Sequence, residues 1–398
     1  MTLGGRTLAH NYDLAIIGSG PAGYVAAIHG AQLGLKTAIV EKENHFGGTC
    51  LHWACVPAKA LLFNTEVLGY FQRASDYGIV LKKFAFDWNA AEARKNAVVK
   101  RLAQGVEFLL KKNKVEIHQG YGRLAGDGRI TISGPKAKQT AISAKSIVLA
   151  TGSEARMIKG LEPDGKTVLT NKEALGVKKP PESIVVMGAG PWGVEFATIF
   201  HRLGTRVTLL ESSPRALPDE DEEVSGELAK ALQKQGIGLF TGVKVQSAAK
   251  IGKSGPAVRV VFSDAAGEVH RVDAEALLVS IGRVPNTQDA GLGGTKIEPD
   301  NGFIKVDEYM RSQEPGVYAA GDVVAGSPML AHVGQMEAIV AVRHAAGAET
   351  EPVNYRQAPR CVYCQPEVAS VGLTEAQACE AGYKVRTGKF PFSANSRA

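Results

Sequence analysis

Cys50 and Cys55 lie five positions apart in the segment Gly47-Gly48-Thr49-Cys50-Leu51-His52-Trp53-Ala54-Cys55-Val56-Pro57-Ala58-Lys59. Two thiols this close can cycle between dithiol and disulfide if the backbone lets them meet. In a regular helix, residues five apart hold their Cα atoms beyond the ~7 Å that a disulfide tolerates. Pairing therefore requires an irregular turn, which Gly47-Gly48 before the pair and Pro57 after it both favour. A helix N-terminus here would also favour the thiolate. The plainer alternative is two cysteines buried in a core helix.

The segments around the pair argue for the redox reading. Tyr12–Ile17 is a short apolar run of the kind a buried parallel strand shows, followed by Gly18-Ser19-Gly20-Pro21-Ala22-Gly23, a helix of small residues from Tyr24 to about Leu33, and a second strand ending at Glu41. In such a unit Gly18 makes the turn, Gly20 admits a pyrophosphate, Gly23 lets helix pack on strand, and Glu41 accepts hydrogen bonds from a ribose. The pattern recurs: strand Ser183–Met187, Gly188, Gly190 and Gly193 in the turn, a helix from Val194 to about Leu203, and strand Arg206–Leu210 ending at Glu211. One such fingerprint is a weak signal. Two, each with its acid at the same distance, predict two bound dinucleotides and a cysteine pair beside one of them.

Length and composition bound the rest. A chain of 398 residues, 44% apolar and 22% charged, fits a globular protein of two or three domains. The net charge of +6 is scattered, with no basic run interleaved with aromatics, so nucleic acid is excluded as a partner. No apolar run reaches the ~18 residues of a membrane helix, and the first eleven residues are too short and polar for a secretory signal. Five cysteines in this length are not a secreted disulfide framework, so a reducing cytoplasmic setting is expected. Pro180-Pro181 marks a boundary before the second nucleotide unit. A helix is expected over roughly 90–113, then a strand near Val115-Glu116-Ile117. Strands ending in tight turns are expected at Ile147–Gly152, Leu277–Gly282 and Gly316–Asp322, and a hairpin-like stretch from Asn354. Cys361 and Cys364 form a C-x-x-C without the second pair a zinc site needs, so ordinary packing is expected and no metal. Cys379 is expected to be a core thiol, and His52 to line the site.

These residues resemble the pyridine nucleotide–disulfide oxidoreductase family from Asp13 to Ala398, most specifically over Gly47–Lys59. Ala150-Thr151-Gly152-Ser153, Gly282-Arg283-Val284-Pro285-Asn286, Ala320-Gly321-Asp322, Met329-Leu330-Ala331-His332 and Pro366–Gly372 support the resemblance. It implies an α/β fold of two Rossmann-like dinucleotide-binding domains plus the incomplete start of an α+β dimerisation domain: residues 1–155 for FAD, 156–280 for NAD, 281–350 completing the FAD domain, and 351–398 at the interface. It implies FAD on the first fingerprint, with Gly48, Thr49, Gly122 and Thr151–Ser153 lining the site and Asp322 on the ribityl chain. The helix after Met329 would point its N-terminus at the flavin. Cys55 would be the thiol against the flavin, Cys50 the one that exchanges with substrate, and Lys59 would pair with Glu195 beside the ring. Val245 and Gly282 would touch the nicotinamide dinucleotide. A carboxylate at Glu211 accepts from the 2′-hydroxyl of NAD and repels the 2′-phosphate of NADP, so NAD is expected, with Arg215 a weak counterargument.

The activity implied is oxidation of dihydrolipoyl groups, carried by the lipoyl domain of a 2-oxoacid dehydrogenase acyltransferase, in a homodimer. Mercuric or glutathione reduction is the alternative within the family, and an inactive nucleotide-binding fragment the alternative outside it. The resemblance also implies a His–Glu acid–base pair in a dimer-forming domain beyond Ala398. For the chain as it stands, the expectation is reduction by NADH and transfer to an artificial acceptor, with poor dihydrolipoamide turnover.

Overall fold

The computed structural model describes residues 11–134, 139–252 and 257–396; residues 1–10, on which the reading of the N-terminal segment falls, lie outside them. The first unit runs β1 (Tyr12–Ile17), α1 (Pro21–Gln32), β2 (Thr37–Glu41), α2 (Gly48–Trp53), α3 (Cys55–Gln72), α4 (Trp88–Lys112), β3 (Glu116–Gln119), β4 (Tyr121–Leu124), β5 (Arg129–Ser133) and β6 (Gln139–Leu149). The second runs β7 (Ser153–Ala155), β8 (Val168–Leu169), α5 (Asn171–Ala174), β9 (Ser183–Met187), α6 (Pro191–Arg202), β10 (Arg206–Leu210), α7 (Glu222–Gln235), β11 (Gly238–Phe240), β12 (Lys244–Lys250), β13 (Val258–Ser263), β14 (Val269–Ala274) and β15 (Ala276–Val279). Then follow β16 (Arg283–Pro285), β17 (Val317–Ala319), α8 (Ala331–Ala345), β18 (Arg360–Val362), β19 (Val368–Ser370) and α9 (Glu375–Glu380).

The first sheet has the order β3-β2-β1-β6-β5-β4, and β17 joins it parallel to β6. Strand β1 is buried on both faces, and its side chains alternate accordingly. Leu14 and Ile16 pack with α1 and α8, whereas Ala15 and Ile17 pack towards Ile130, Ile142 and Leu149. The second sheet, β11-β10-β9-β15-β8, is parallel throughout. There Ile184 and Val186 face α6, and Val185 and Met187 face the antiparallel β12-β13-β14 layer.

Both fingerprint helices begin earlier than expected, at Pro21 and Pro191 rather than Tyr24 and Val194. Proline suits the first helical position because its fixed φ fits and its missing N–H would be unpaired there anyway. The helix expected over 90–113 is α4, whose N-cap Asp87 accepts from the Ala90 N–H. The expected hairpin is β18–β19, antiparallel with Cys361 opposite Ala369.

Candidate active site

Helices α2 and α3 would be one helix but for Ala54, whose φ of −144° and ψ of −105° break it between the cysteines. Pro57 explains the break locally. The helical partner of the Trp53 carbonyl would be the N–H of residue 57, which proline lacks, and its ring crowds that carbonyl. The break brings the Cys50 and Cys55 Cα atoms to 4.7 Å, and the two sulfurs are bonded. The irregular turn predicted from sequence is thus present, and Cys55 occupies the first position of α3.

The pair opens onto a cavity of about 490 Å³ between the two nucleotide-binding units. Its walls include Gly18, Gly20, Glu41, Gly48, Thr49, Cys50, Cys55, Gly122, Thr151, Gly152, Ser153, Asp322, Met329, Leu330 and Ala331, so most of the residues expected around the flavin surround one space. Gly18 has φ +100°, which an L side chain rarely adopts, and its counterpart Gly188 has φ +101°. A Cβ on Gly48 would lie 2.7 Å from the Gly20 Cα, so the cysteine segment closes down on the backbone of the phosphate turn only because residue 48 is glycine. Gly23 lies beneath the turn, where a Cβ would overlap the Gly18 carbonyl; Gly193 stands in the same relation to Gly188.

The two acids are held alike. Glu41 accepts from Ser19 N–H at 2.8 Å, Ser19 Oγ at 2.5 Å and Glu43 N–H at 2.8 Å. Glu211 accepts from Ala189 N–H at 2.7 Å and Ser213 N–H at 2.8 Å. Each carboxylate is fixed by the backbone of its own glycine turn. Arg215 does not answer Glu211: it donates to the Pro218 carbonyl at 3.0 Å.

Lys59 Nζ reaches both Glu195 oxygens, at 2.8 and 2.7 Å, tying the cysteine helix α3 to α6. Burial pushes the Glu195 carboxyl pKa up, while Lys59 and the Tyr363 N–H, 3.1 Å away, pull it back. The Tyr363 ring lies 4.9 Å from the Lys59 ammonium, so the turn of the β18–β19 hairpin reaches the ion pair. Asp322 accepts from Ser153 Oγ at 2.5 Å, and Arg283 donates to that same hydroxyl at 2.6 Å.

Several expectations need correction or relocation. The His332 side chain is exposed and does not line the cavity, because it projects from the outer side of the first turn of α8. His52 lies on the opposite side of α2 from the cavity: its ring stacks on His45 at 3.7 Å and faces a separate recess against α4. Residues two apart on a helix point different ways, so His52 cannot share the face of Cys50. Cys379 is exposed, since six-residue α9 buries none of its side chains. Cys364 packs in the core with Ala58 and Leu61, as expected of ordinary packing, while Cys361 is exposed on β18. Val245 sits on β12 beside a register shift, and Gly282 precedes β16; neither borders the cavity, nor do Gly188, Gly190 and Gly193 of the second turn.

Sequence reasoning did not single out Trp53, Asn171, Lys172, Trp192 or Arg283 as site residues, yet all five line the cavity. Arg283 carried a signal, following Gly282 in a recognisable segment. Asn171 carried none, because its place depends on a contact between distant segments.

FAD fits this space on the donor set alone. A glycine turn at a helix N-terminus suits a pyrophosphate, Glu41 suits a ribose, and the buried Thr151 hydroxyl has no partner within the protein. A fold with two dinucleotide units and a disulfide between them defines a nucleotide-dependent thiol oxidoreductase. The chain belongs to the pyridine nucleotide-disulphide oxidoreductases: that family's model matches residues 12–338, and its dimerisation domain matches residues 358–398. FAD and NAD are its cofactors, and the dimerisation domain supports a homodimer. The chain is 43% identical to dihydrolipoyl dehydrogenase of Bacillus subtilis, covering 98% of this chain and 83% of that protein. It is 38% identical to the mitochondrial dihydrolipoyl dehydrogenase of Pisum sativum, covering 97% and 77%. The crystal structure of LpdA from Mycobacterium tuberculosis superposes with a TM-score of 0.87 at 27% identity, over 96% of this chain and 83% of that one.

Proposed function

We propose that this protein oxidises dihydrolipoyl groups with NAD through the Cys50–Cys55 disulfide. The observation that carries the reading is that disulfide, set at a helix break on the wall of a dinucleotide cavity. A dihydrolipoyl thiolate attacks Cys50 Sγ, and Cys55 leaves as a thiolate. The second lipoyl thiol then displaces Cys50, closing the lipoyl disulfide and leaving Cys50 and Cys55 reduced. The first turn of α3 stabilises the Cys55 thiolate, whose N–H groups and dipole face it. Lys59 and Glu195 hold α3 against α6 and place one fixed positive charge a helical turn behind Cys55. When bound, FAD would supply the two-electron relay between the Cys50–Cys55 dithiol and NAD.

On this reading the FAD is held by Gly18, Gly20, Gly48, Thr49, Gly122, Thr151–Ser153, Asp322 and Met329–Ala331, and NAD by the Gly188–Gly193 turn, Glu211, Val245 and Gly282. The substrate carrier is the lipoyl domain of a 2-oxoacid dehydrogenase acyltransferase, in the cytoplasm. No helix among the described residues is long and apolar enough to cross a membrane. Phe63, Val67, Tyr70 and Phe71 form an exposed apolar stripe along α3, suited to cover by a second copy. The test is NAD reduction by dihydrolipoamide in the flavin-loaded protein. Slow turnover that Cys50→Ser abolishes is expected; turnover unaffected by Cys50→Ser would contradict the reading.

A further inference from the structure

The helix break at Ala54 leaves the Trp53 carbonyl without a helical donor, because Pro57 has no N–H to offer. A partly buried carbonyl left unpaired would favour rearrangement of the turn. Its donor comes from the other nucleotide-binding unit: Asn171 Nδ2, at the first position of α5, lies 2.6 Å from Trp53 O. Asn171 is only 9% exposed, and a capping box between Thr170 and Glu173 fixes the turn that carries it. The next residue adds a second hold, with Lys172 Nζ 4.7 Å from the Trp53 ring. Two consecutive residues of α5 thus grip the backbone and the side chain of the residue that lies just before the break.

We propose that Asn171, assisted by Lys172, is a positioning residue for the redox pair. It holds the break that brings Cys50 and Cys55 together, so a segment of the NAD-binding unit helps set how readily the disulfide forms. This rests on the reading of Cys50 and Cys55 as the redox pair. The physical reasoning is one of effective concentration. Without the donor, the turn samples conformations in which the thiols are apart, and closing the bond costs more chain entropy.

The experiment is an equilibrium titration of the flavin-loaded protein against mixtures of reduced and oxidised dithiothreitol. Alkylation and mass measurement then give the fraction of Cys50–Cys55 disulfide. Asn171→Asp is the central variant. It is isosteric and favourable at a helix N-terminus, and it replaces the donor with an acceptor facing the carbonyl. The equilibrium constant for disulfide formation should fall about tenfold, the scale of one partly buried hydrogen bond. Asn171→Ala should shift it the same way, and Lys172→Gln, which keeps the donor, by about twofold. Thermal midpoints of the fully reduced proteins separate a general loss of stability from an effect on the pair, and should agree between wild type and Asn171→Asp. Wild-type equilibria in both Asn171 variants would overturn the proposal. A wild-type protein that forms no disulfide at any ratio would instead overturn the reading of the redox pair.

Discussion

At the scale of single residues, the five cysteines divide by environment. Cys364 is buried, and burial pushes its thiol pKa up to about 12, so it stays protonated and shielded at neutral pH. Alkylation of the native oxidised protein should modify Cys361 and Cys379 and spare Cys364, Cys50 and Cys55, as peptide mass mapping would show; modification of Cys364 without denaturant would contradict the packing described. On the proposed function, Glu211 sets cofactor choice. Replacing it with alanine removes the acceptor for a ribose hydroxyl and the repulsion of a phosphate, so the ratio of NADH to NADPH efficiency should fall by about tenfold or more. An unchanged ratio in steady-state kinetics would remove Glu211 from that role. The Cys50–Cys55 pair was legible as chemistry because its meaning depends on close neighbours in sequence. The exposure of Cys379 was not, because a short polar helix and a buried one look alike over six residues.

At the scale of elements, the strands and turns of the twin units were legible almost to the residue, since glycine at a fixed turn acts locally, whereas both helix starts were placed three residues late, past the prolines that open them. Pro57 was legible as a disturbance, but the form it takes, a full break at Ala54 with a donor brought from α5, is a tertiary matter. The same holds for the join between α8 and the Gly321 turn. Glu337, fully buried on α8, accepts from the Gly321 N–H at 2.6 Å and the Tyr355 hydroxyl at 2.9 Å. Burial raises its pKa above the usual 4.5, and the hydrogen bonds it accepts offset this only in part. A folded-state pKa above the unfolded value means the fold holds a proton that the unfolded chain gives up. That contribution is fully present below about pH 4.5 and is lost as pH rises through the raised value. Urea midpoints from pH 4 upwards should therefore decline less steeply with pH in Glu337→Gln than in wild type. Parallel profiles would show that Glu337 keeps its charge in the fold. At the other turn, Gly18→Ala places a side chain at φ +100° and should cost roughly 1–2 kcal/mol together with flavin retention, measured by unfolding and by the flavin content of the purified protein.

For the molecule as a whole, the two nucleotide folds matter through what lies between them. Helix α2 carries Cys50 and α3 carries Cys55 and Lys59, α6 supplies Glu195, α5 supplies Asn171, and the hairpin segment lays Tyr363 over Lys59. Each of these contacts joins segments more than a hundred residues apart, which is why local pattern found the parts, while of their couplings only the Lys59–Glu195 pair was expected, from the family resemblance. The central claim is that electrons pass between NAD and the Cys50–Cys55 pair. Anaerobic addition of one equivalent of NADH to the flavin-loaded protein, followed by alkylation and mass counting, tests it directly. The account predicts new modification at Cys50 and Cys55 together, with NADPH far less effective. Oxidation of NADH that leaves both cysteines bonded would contradict it.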